Sequence, residues 1–142
     1  LLFLDGDILR EILGNDLGHT LEDRKQNADR INRLCYYLDS HGINVIFALL
    51  SLFHENQKGM RENIDNYFEV YIDANINHLT ERDTKGIYKK AVNGEIKNVV
   101  GVDIPFIPPL SPDITINNDG SLEDLYKQGD KIIETLRPFL GR

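Results

Sequence analysis

Leu1-Leu2-Phe3-Leu4-Asp5-Gly6-Asp7-Ile8-Leu9-Arg10 opens the sequence and decides the predicted fold. Its apolar front is typical of a strand that is buried on both faces of a parallel sheet. The run ends in Asp5 and Asp7 around Gly6, which permits a sharp turn and the close approach of a ligand. Arg10 shares a helix face with Asp7. Because ligands of open α/β sheets bind beyond the carboxyl ends of strands, we predict a site for a charged substrate, with a metal. The alternative is an N-capping aspartate and a surface ion pair.

The composition bounds the class of protein. The 142 residues suit a single domain over 1–142, and 41% apolar residues suffice for a core. A net charge of −7 argues against nucleic-acid binding, so an anionic substrate needs a local cluster of Arg and Lys. No apolar run is long enough to span a membrane. The single cysteine, Cys35, is predicted to pack in the core, and the absence of an intrachain disulfide fits a reducing cytoplasm.

Strand-like and helix-like segments alternate along the whole chain. The pattern predicts strands at about 1–4, 43–50, 68–72 and 113–116, and helices at about 8–13, 21–40, 56–66, 76–82 and 122–136. This alternation predicts a three-layer α/β fold, with a mostly parallel sheet and helices on both faces. Asp5, Ser51 and Asp73 end three of the strands, so we expect them to share one rim of the sheet.

The two longest helices carry clear signals. Thr20 and Asp23 form a weak capping box for the first, and Gly42 ends it. Arg24 and Asn27 lie three residues apart on its first turns, which indicates either a binding face or a solvated turn. The predicted apolar stripe of this helix is Ala28, Ile31, Leu34, Cys35 and Leu38. The last helix is capped by Ser121, and its predicted buried set is Leu122, Leu125, Ile132, Ile133 and Leu136.

Residues 81–97 are dense in charge and poor in apolar cover. The segment is either a mobile lid or a solvated helix pair, and its composition alone favours the helix pair. Its basic residues are Arg82, Lys85, Lys89, Lys90 and Lys97.

Five stretches in register resemble the adenylyl-sulfate kinase family. They are Leu4-Asp5-Gly6-Asp7-Ile8-Leu9-Arg10, Asp16-Leu17-Gly18 with Glu22-Asp23-Arg24-Lys25-Gln26-Asn27, Glu81-Arg82-Asp83-Thr84-Lys85-Gly86-Ile87-Tyr88-Lys89-Lys90-Ala91, Gly94-Glu95-Ile96-Lys97, and Gly101-Val102-Asp103-Ile104-Pro105. The resemblance implies a P-loop kinase fold. It also implies transfer of the ATP γ-phosphate, with Mg²⁺, to the ribose 3′-hydroxyl of adenylyl sulfate.

The resemblance also implies roles for individual residues. Asp5 corresponds to the carboxylate that activates the 3′-hydroxyl or holds a water of the metal, and Asp7 supports the same turn. Ser51 corresponds to a serine described in the family as a phosphoserine, for which we expect a substrate contact or a strand-end hydrogen bond instead. Further implied positions are Arg10, Arg24 and Asn27 for the phosphosulfate and sugar, and Arg82, Lys85, Lys89 and Lys90 for a lid over the nucleotides. A cytoplasmic enzyme is expected, with a homodimer as its candidate assembly.

The sequence departs from the family pattern in its phosphate-binding loop. The Walker A motif, G-x-x-x-x-G-K-[ST], does not occur in the 142 residues. The sequence also lacks a starting methionine, so we expect a chain cut at its front. The motif is then expected upstream of Leu1, within a further strand and helix of the same domain.

The second departure concerns the substrate base. His19 and Val99 stand where the family pattern has two aromatic residues that sandwich adenine. Stacking contributes about 1–3 kcal/mol per base, so their loss weakens binding of adenylyl sulfate. The alternatives are therefore a 3′-hydroxyl kinase of another nucleotide, such as cytidine diphosphoramidate in capsule pathways, and a non-catalytic nucleotide-binding remnant. The retained Asp5, Arg10 and lid lysines argue against the remnant.

Overall fold

The structure is a computed structural model that describes residues 1–140, with side chains through Arg137. Ten elements follow one another along the chain: β1 (Leu2–Asp5), α1 (Gly6–Ile12), α2 (Leu21–Ser40), β2 (Val45–Ala48), α3 (His54–Asn63), β3 (Val70–Asp73), α4 (Ile76–Glu81), α5 (Ile87–Val92), β4 (Ile114–Asn117) and α6 (Leu122–Leu140). Leu1–Tyr67 form one compact unit, and a second begins at Phe68. No helix in the described residues is long and apolar enough to cross a membrane.

In the first unit α2 packs against β2 of a parallel strand pair, and α3 packs against α2. β1 and β2 pair in parallel, and the register aligns Asp5 with Ala48 at the carboxyl ends. Leu9 of α1 and the predicted stripe of α2 form the core of this unit. The buried core residues are Leu9, Ile31 and Cys35, and Leu34, Phe47, Met60 and Ile64 pack against them. The predicted core position of Cys35 is confirmed, and burial raises the pKa of its thiol to about 11.

Helix α2 begins and ends where the sequence predicts. The Thr20 side chain accepts a hydrogen bond from the Asp23 N–H, and the Asp23 carboxylate accepts one from the Thr20 N–H. This reciprocal pairing satisfies N–H groups that a helix start leaves open. At the other end Gly42 has φ +68°, a left-handed conformation that favours glycine.

The second unit holds the other parallel pair. β3 and β4 run in parallel, from Val70 beside Ile114 to Asp73 beside Asn117. Its buried apolar residues are Val99, Ile104 and Ile116. Asp103 folds the loop before β4, because its carboxylate accepts the Asn98 and Val99 N–H groups, both at 2.6 Å. Both strand pairs are parallel and alternate with helices, which confirms the predicted α/β class.

Several predicted boundaries and burials are wrong. β2 is four residues long and does not include the predicted 49–50, and the four strands form two separate pairs within the described chain. β1 is not buried on both faces, since Leu2 and Phe3 of this strand are 37% and 65% exposed. Only one face of a two-stranded ribbon is packed on the core of its unit. In α6, which packs on β4, Leu122 and Ile133 are exposed at 63% and 57%.

Candidate active site

Asp5 ends β1 and caps the helix that follows. Its Oδ1 accepts the N–H groups of Asp7 and Ile8 at 2.9 and 3.3 Å. Asp5 is therefore an N-capping aspartate, as the alternative reading of the sequence predicts, and Oδ1 is the capping atom. Oδ2 makes no hydrogen bond to the described residues and stays available to a ligand. Gly6 does not have a positive φ, and a Cβ there would lie in ordinary contact with the Ala48 carbonyl oxygen at 3.4 Å.

Arg10 holds the loop between α1 and α2. Its Nη1 and Nη2 donate to the carbonyl oxygens of Leu17 and Gly18 at 2.9 and 3.1 Å. The same loop is fixed at its start, where Arg30 of α2 binds both Asp16 carboxylate oxygens at 2.7 Å. This pairing with Arg30 lowers the pKa of Asp16. Two guanidinium groups therefore define the backbone of residues 16–18 before any ligand is present.

His19 lies where four charged groups converge. Its pKa is lowered first by desolvation of the ring, and then by the positive charges of Arg10 and Arg24. Asp7 and Asp23 oppose this shift. Because the pKa of His19 is lowered from its usual value, the ring is neutral at pH 7. It therefore offers a hydrogen bond and a flat face instead of a charge. The charges of Asp7, Arg10 and Arg24 therefore all act on His19.

Arg24 and Asn27 occupy the first turns of α2. The Arg24 Nε donates to the His19 carbonyl oxygen at 3.0 Å. Asn27 is half-buried, and its side-chain amide makes no hydrogen bond to the part of the chain that the structure describes. A half-buried amide without a partner is a candidate ligand contact, because it can both donate and accept.

Ser51 lies three residues beyond β2 and is held by α3. Gln57 is only 8% exposed, and its Nε2 donates to the Ser51 Oγ at 3.1 Å. The neighbouring Asn56 ties α3 to α2, through its Nδ2 on Asp29 at 2.9 Å and its carbonyl oxygen on Asn32 at 3.0 Å. Sequence reasoning missed Gln57, because no local pattern shows that a side chain six residues ahead reaches Ser51.

In the second unit the Arg82 side chain donates hydrogen bonds to the turn after β4. Its Nη1 donates to the Asn118 carbonyl oxygen at 2.8 Å, and its Nη2 to that of Gly120 at 3.1 Å. A cleft of about 400 Å³ lies beside this contact. The cleft is lined by Arg82, Asn118, Gly120, Leu122 and Leu125. The composition of Asn117-Asn118-Asp119-Gly120 predicts this turn. Sequence reasoning missed only that Arg82 binds it.

The predicted lid contains one short helix. Gly86, with φ +67°, precedes α5, and the Asp83 carboxylate accepts the N–H groups of Ile87 and Lys89 at 2.8 and 3.0 Å. Lys89 and Lys90 are exposed on α5, and neither ammonium group has a partner among the described residues. Lys85 lies in the turn before this helix.

Val99 is 9% exposed, so it offers almost no surface to a substrate base in this conformation. Its N–H is also taken by Asp103.

The described side chains contain no cluster of three carboxylate, histidine or cysteine groups that would enclose a metal ion. The free Oδ2 of Asp5 does fit Mg²⁺ bound through a water, because that ion keeps several waters and takes few carboxylates.

Comparisons with known proteins agree on one family. The family model described as Adenylylsulphate kinase matches residues 1–117. An adenylyl-sulfate kinase of Gloeothece citriformis is 38% identical over 133 residues, which are 94% of this chain and 74% of the relative. The cytidine diphosphoramidate kinase of Campylobacter jejuni is 43% identical over 121 residues, covering 83% of this chain and 68% of the relative.

The backbone gives the same result. The structure of the Mycobacterium tuberculosis APS kinase CysC in complex with AMPPNP and APS matches 96% of this chain, and 79% of that chain, with a TM-score of 0.83 and 33% identity. The fold is therefore that of the P-loop kinases, and the enzyme class is a phosphotransferase with a hydroxyl acceptor. On sequence and backbone alike, this chain belongs to the adenylyl-sulfate kinase family.

Proposed function

We propose that this chain is an ATP-dependent kinase that phosphorylates the ribose 3′-hydroxyl of a nucleotide other than adenylyl sulfate, with cytidine diphosphoramidate as the first candidate. The observation that carries the proposal is the convergence of Asp7, Arg10, His19 and Arg24 beside the strand-end carboxylate Asp5. Two guanidinium groups and one carboxylate oxygen available to a ligand suit an anionic substrate with a hydroxyl to be activated.

In the proposed reaction Asp5 faces the acceptor hydroxyl. The 3′-oxygen attacks the γ-phosphorus, the bond between that phosphorus and the bridging oxygen breaks, and ADP leaves. Asp5 Oδ2 accepts the hydroxyl proton while Oδ1 stays on the N–H groups of Asp7 and Ile8. Mg²⁺, held through water near Asp5, would neutralise charge on the transferred phosphoryl group.

The acceptor's anionic part is proposed to lie against the start of α2. Arg24 and Asn27 share that face, and the side-chain amide of Asn27 has no partner among the residues that the structure describes. Arg10 contributes by fixing the carbonyl groups of Leu17 and Gly18. Arg10 is therefore proposed as a positioning residue for the loop that carries His19.

ATP is proposed to bind the cleft at Arg82. The guanidinium is already fixed on the Asn118 and Gly120 carbonyl oxygens, so its flat face can pack against a purine ring. Leu122 and Leu125 supply apolar contact in the same cleft. The unpaired ammonium groups of Lys89 and Lys90 on α5 are the proposed partners of the phosphates when the lid closes.

A pyrimidine acceptor is favoured by the two residues that stand where the family pattern has the aromatic residues that stack on adenine. Val99 is buried and aliphatic, so it offers no ring to an adenine. His19 offers a single neutral imidazole, which suits the smaller stacking area of cytosine. The Campylobacter jejuni relative, named for cytidine diphosphoramidate, shares 43% identity with this chain.

Adenylyl sulfate is the second candidate. It is the compound for which the Gloeothece citriformis relative is named, and the solved Mycobacterium tuberculosis enzyme was crystallised with it.

The test is a kinase assay on the complete product of the gene, with ATP, Mg²⁺ and each acceptor in parallel. We expect kcat/KM for cytidine diphosphoramidate to exceed that for adenylyl sulfate by at least about tenfold. A preference of that size for adenylyl sulfate would contradict the proposed substrate and leave the proposed reaction intact. Absence of phosphate transfer to both compounds, and to other nucleotides of a panel, would contradict the reaction itself.

A further inference from the structure

The turn that lines the proposed ATP cleft is held from α4 by two side chains. Arg82 binds the Asn118 and Gly120 carbonyl oxygens, as described above. His78 binds the residue between them, since its Nδ1 lies 3.0 Å from the Asp119 Oδ1. Every residue of the 118–120 turn therefore has a contact to α4 or to its C-cap, Arg82.

Helical spacing explains why one short helix reaches the whole turn. His78 and Arg82 are four residues apart, and the Arg82 N–H donates to the His78 carbonyl oxygen at 3.0 Å. Their side chains consequently leave the same face, one turn after the other. One side chain bridges the two carbonyl groups, and the other fixes the carboxylate that lies between them.

Asp119 is the centre of a small network. Its Oδ1 also accepts the Asn75 N–H at 2.7 Å, and its Oδ2 accepts the Asn117 Nδ2 at 3.2 Å. The Asn75 N–H is the largest cause of the lowered pKa of Asp119, and the hydrogen bond from His78 adds to it. Asp119 is therefore a charged acceptor for three donors, of which only His78 belongs to the same helix face as Arg82.

We propose that His78 is a positioning residue for ATP binding, which acts through Asp119 to hold the 118–120 turn as the wall of the cleft. This inference rests on the proposed function, because it takes the Arg82 cleft as the ATP site. Without the imidazole, Asp119 keeps the Asn75 and Asn117 contacts and the turn still forms. The turn is then free to shift against Arg82, which lowers the affinity of the cleft without removing a group that touches the nucleotide.

The test compares three variants on the complete gene product. His78→Leu removes the donor. His78→Asn retains a side-chain N–H close to the position of Nδ1. Asn77→Leu is the matched control, because Asn77 is exposed on α4 beside His78 and its side-chain amide has no partner among the described residues. Circular dichroism and Tm verify that each variant is folded.

We expect His78→Leu to raise the KM and the Kd for ATP about tenfold, as the loss of one charge-assisted hydrogen bond implies. The kcat and the KM for the acceptor should stay within about twofold, and His78→Asn should restore most of the ATP affinity. In an Asp119→Ala background the same His78→Leu change should have no further effect on Kd. A general loss of structure would instead change all of these quantities together.

An unchanged ATP affinity in folded His78→Leu would overturn the inference, as would equal changes in ATP KM, acceptor KM and kcat. Either result, in a protein whose wild type phosphorylates a nucleotide, leaves the proposed function standing. A wild type that does not bind ATP would overturn both.

Discussion

The loop of residues 16–19 and helix α5 are both rich in charge, yet their charges are used in opposite ways. In the loop, Arg10 and Arg24 donate to the carbonyl oxygens of Leu17, Gly18 and His19. On α5 the ammonium groups of Lys89 and Lys90 have no partner among the residues described. The described loop is held by its arginines without a ligand, whereas the charge of the α5 lysines is proposed to serve one.

The chemistry of the two cations explains the division. A guanidinium carries several N–H donors in a rigid fork, so one side chain can bridge two carbonyl groups and still present a flat face. Arg82 uses the same geometry on the Asn118 and Gly120 carbonyl oxygens. An ammonium is a mobile point charge that binds phosphate without fixing a loop. Arg10, Arg24 and Arg82 therefore hold backbone carbonyl groups in the described structure, whereas Lys89 and Lys90 are proposed to neutralise charge on a ligand.

The largest effect is expected at Asp5, the N-cap of α1, whose Oδ2 makes no hydrogen bond to the described residues. Asp5→Asn retains an oxygen for the Asp7 and Ile8 N–H groups and removes the proton acceptor. We expect kcat to fall at least a hundredfold with Tm nearly unchanged, since general-base catalysis contributes roughly 10²–10⁴. Asp39→Asn, at an exposed carboxylate, is the control in the same assay, and near-normal kcat in Asp5→Asn would remove the catalytic assignment.

The next effect tests whether the fork of Arg10 is needed. Arg10→Lys keeps the charge and cannot bridge the Leu17 and Gly18 carbonyl oxygens in the same way. We expect the acceptor KM to rise about tenfold, because each lost hydrogen bond from a charged group costs about 1.5–3 kcal/mol. The ATP KM should hardly change. Arg33→Lys, the same substitution at an exposed position of α2, should leave both KM values alone. A normal acceptor KM in Arg10→Lys would mean that only charge matters at this position.

A smaller effect is expected from the unpaired lysines. Lys89→Ala with Lys90→Ala should raise the ATP KM several-fold, and the increase should shrink at high salt because the interaction is long-range charge attraction. The free energy of unfolding should change by less than about 0.5 kcal/mol, because these ammonium groups stabilise nothing in the described structure. The control is Lys127→Ala with Lys131→Ala on α6, which removes the same charge. Equal ATP KM values for the two double variants would contradict the lid assignment.

The smallest expected effect is the loss of the Asp16–Arg30 stabilisation of the loop at low pH. Pairing with Arg30 lowers the pKa of Asp16, so the folded carboxyl group is more acidic than the unfolded one. The stabilisation is therefore complete above about pH 4 and is lost as the pH falls through the lower, folded-state pKa. The protection factors of the 16–19 amides, which correct for the intrinsic exchange rate at each pH, should fall below pH 4 in the wild type. In Asp16→Asn, protection should already be low at pH 6, and identical protection profiles in the two proteins would exclude this ion pair as a support of the loop.

Much of the fold follows from local sequence, for reasons seen in α2. Its cap at Thr20 and Asp23, its stripe through Ile31 and Cys35, and its end at Gly42 all depend on residues within a few positions of one another. Short-range signals of this kind can be read without the tertiary structure. The burial of a strand cannot be predicted in this way, because the exposure of Phe3 depends on which elements cover the strand pair.

The residue types of the candidate site could be predicted from the sequence, but their hydrogen-bond partners could not. The resemblance implies site roles for Asp7, Arg10, His19 and Arg24, and in the structure the charges of the other three act on His19. It did not reveal that guanidinium groups would bind backbone carbonyl oxygens, since sequence shows a charge and not its partner. Contacts such as that of Gln57 on Ser51 depend on how α3 packs, and no spacing rule encodes them.

The position of the transferred phosphate tests the central claim most directly. The complete gene product is incubated with ATP, Mg²⁺ and cytidine diphosphoramidate, and the product is examined by ³¹P NMR with coupling to the ribose protons. The account predicts ADP and one new phosphate monoester whose phosphorus couples to the proton on C3′. Release of ADP without a new ester, or an ester at any other oxygen, would contradict it.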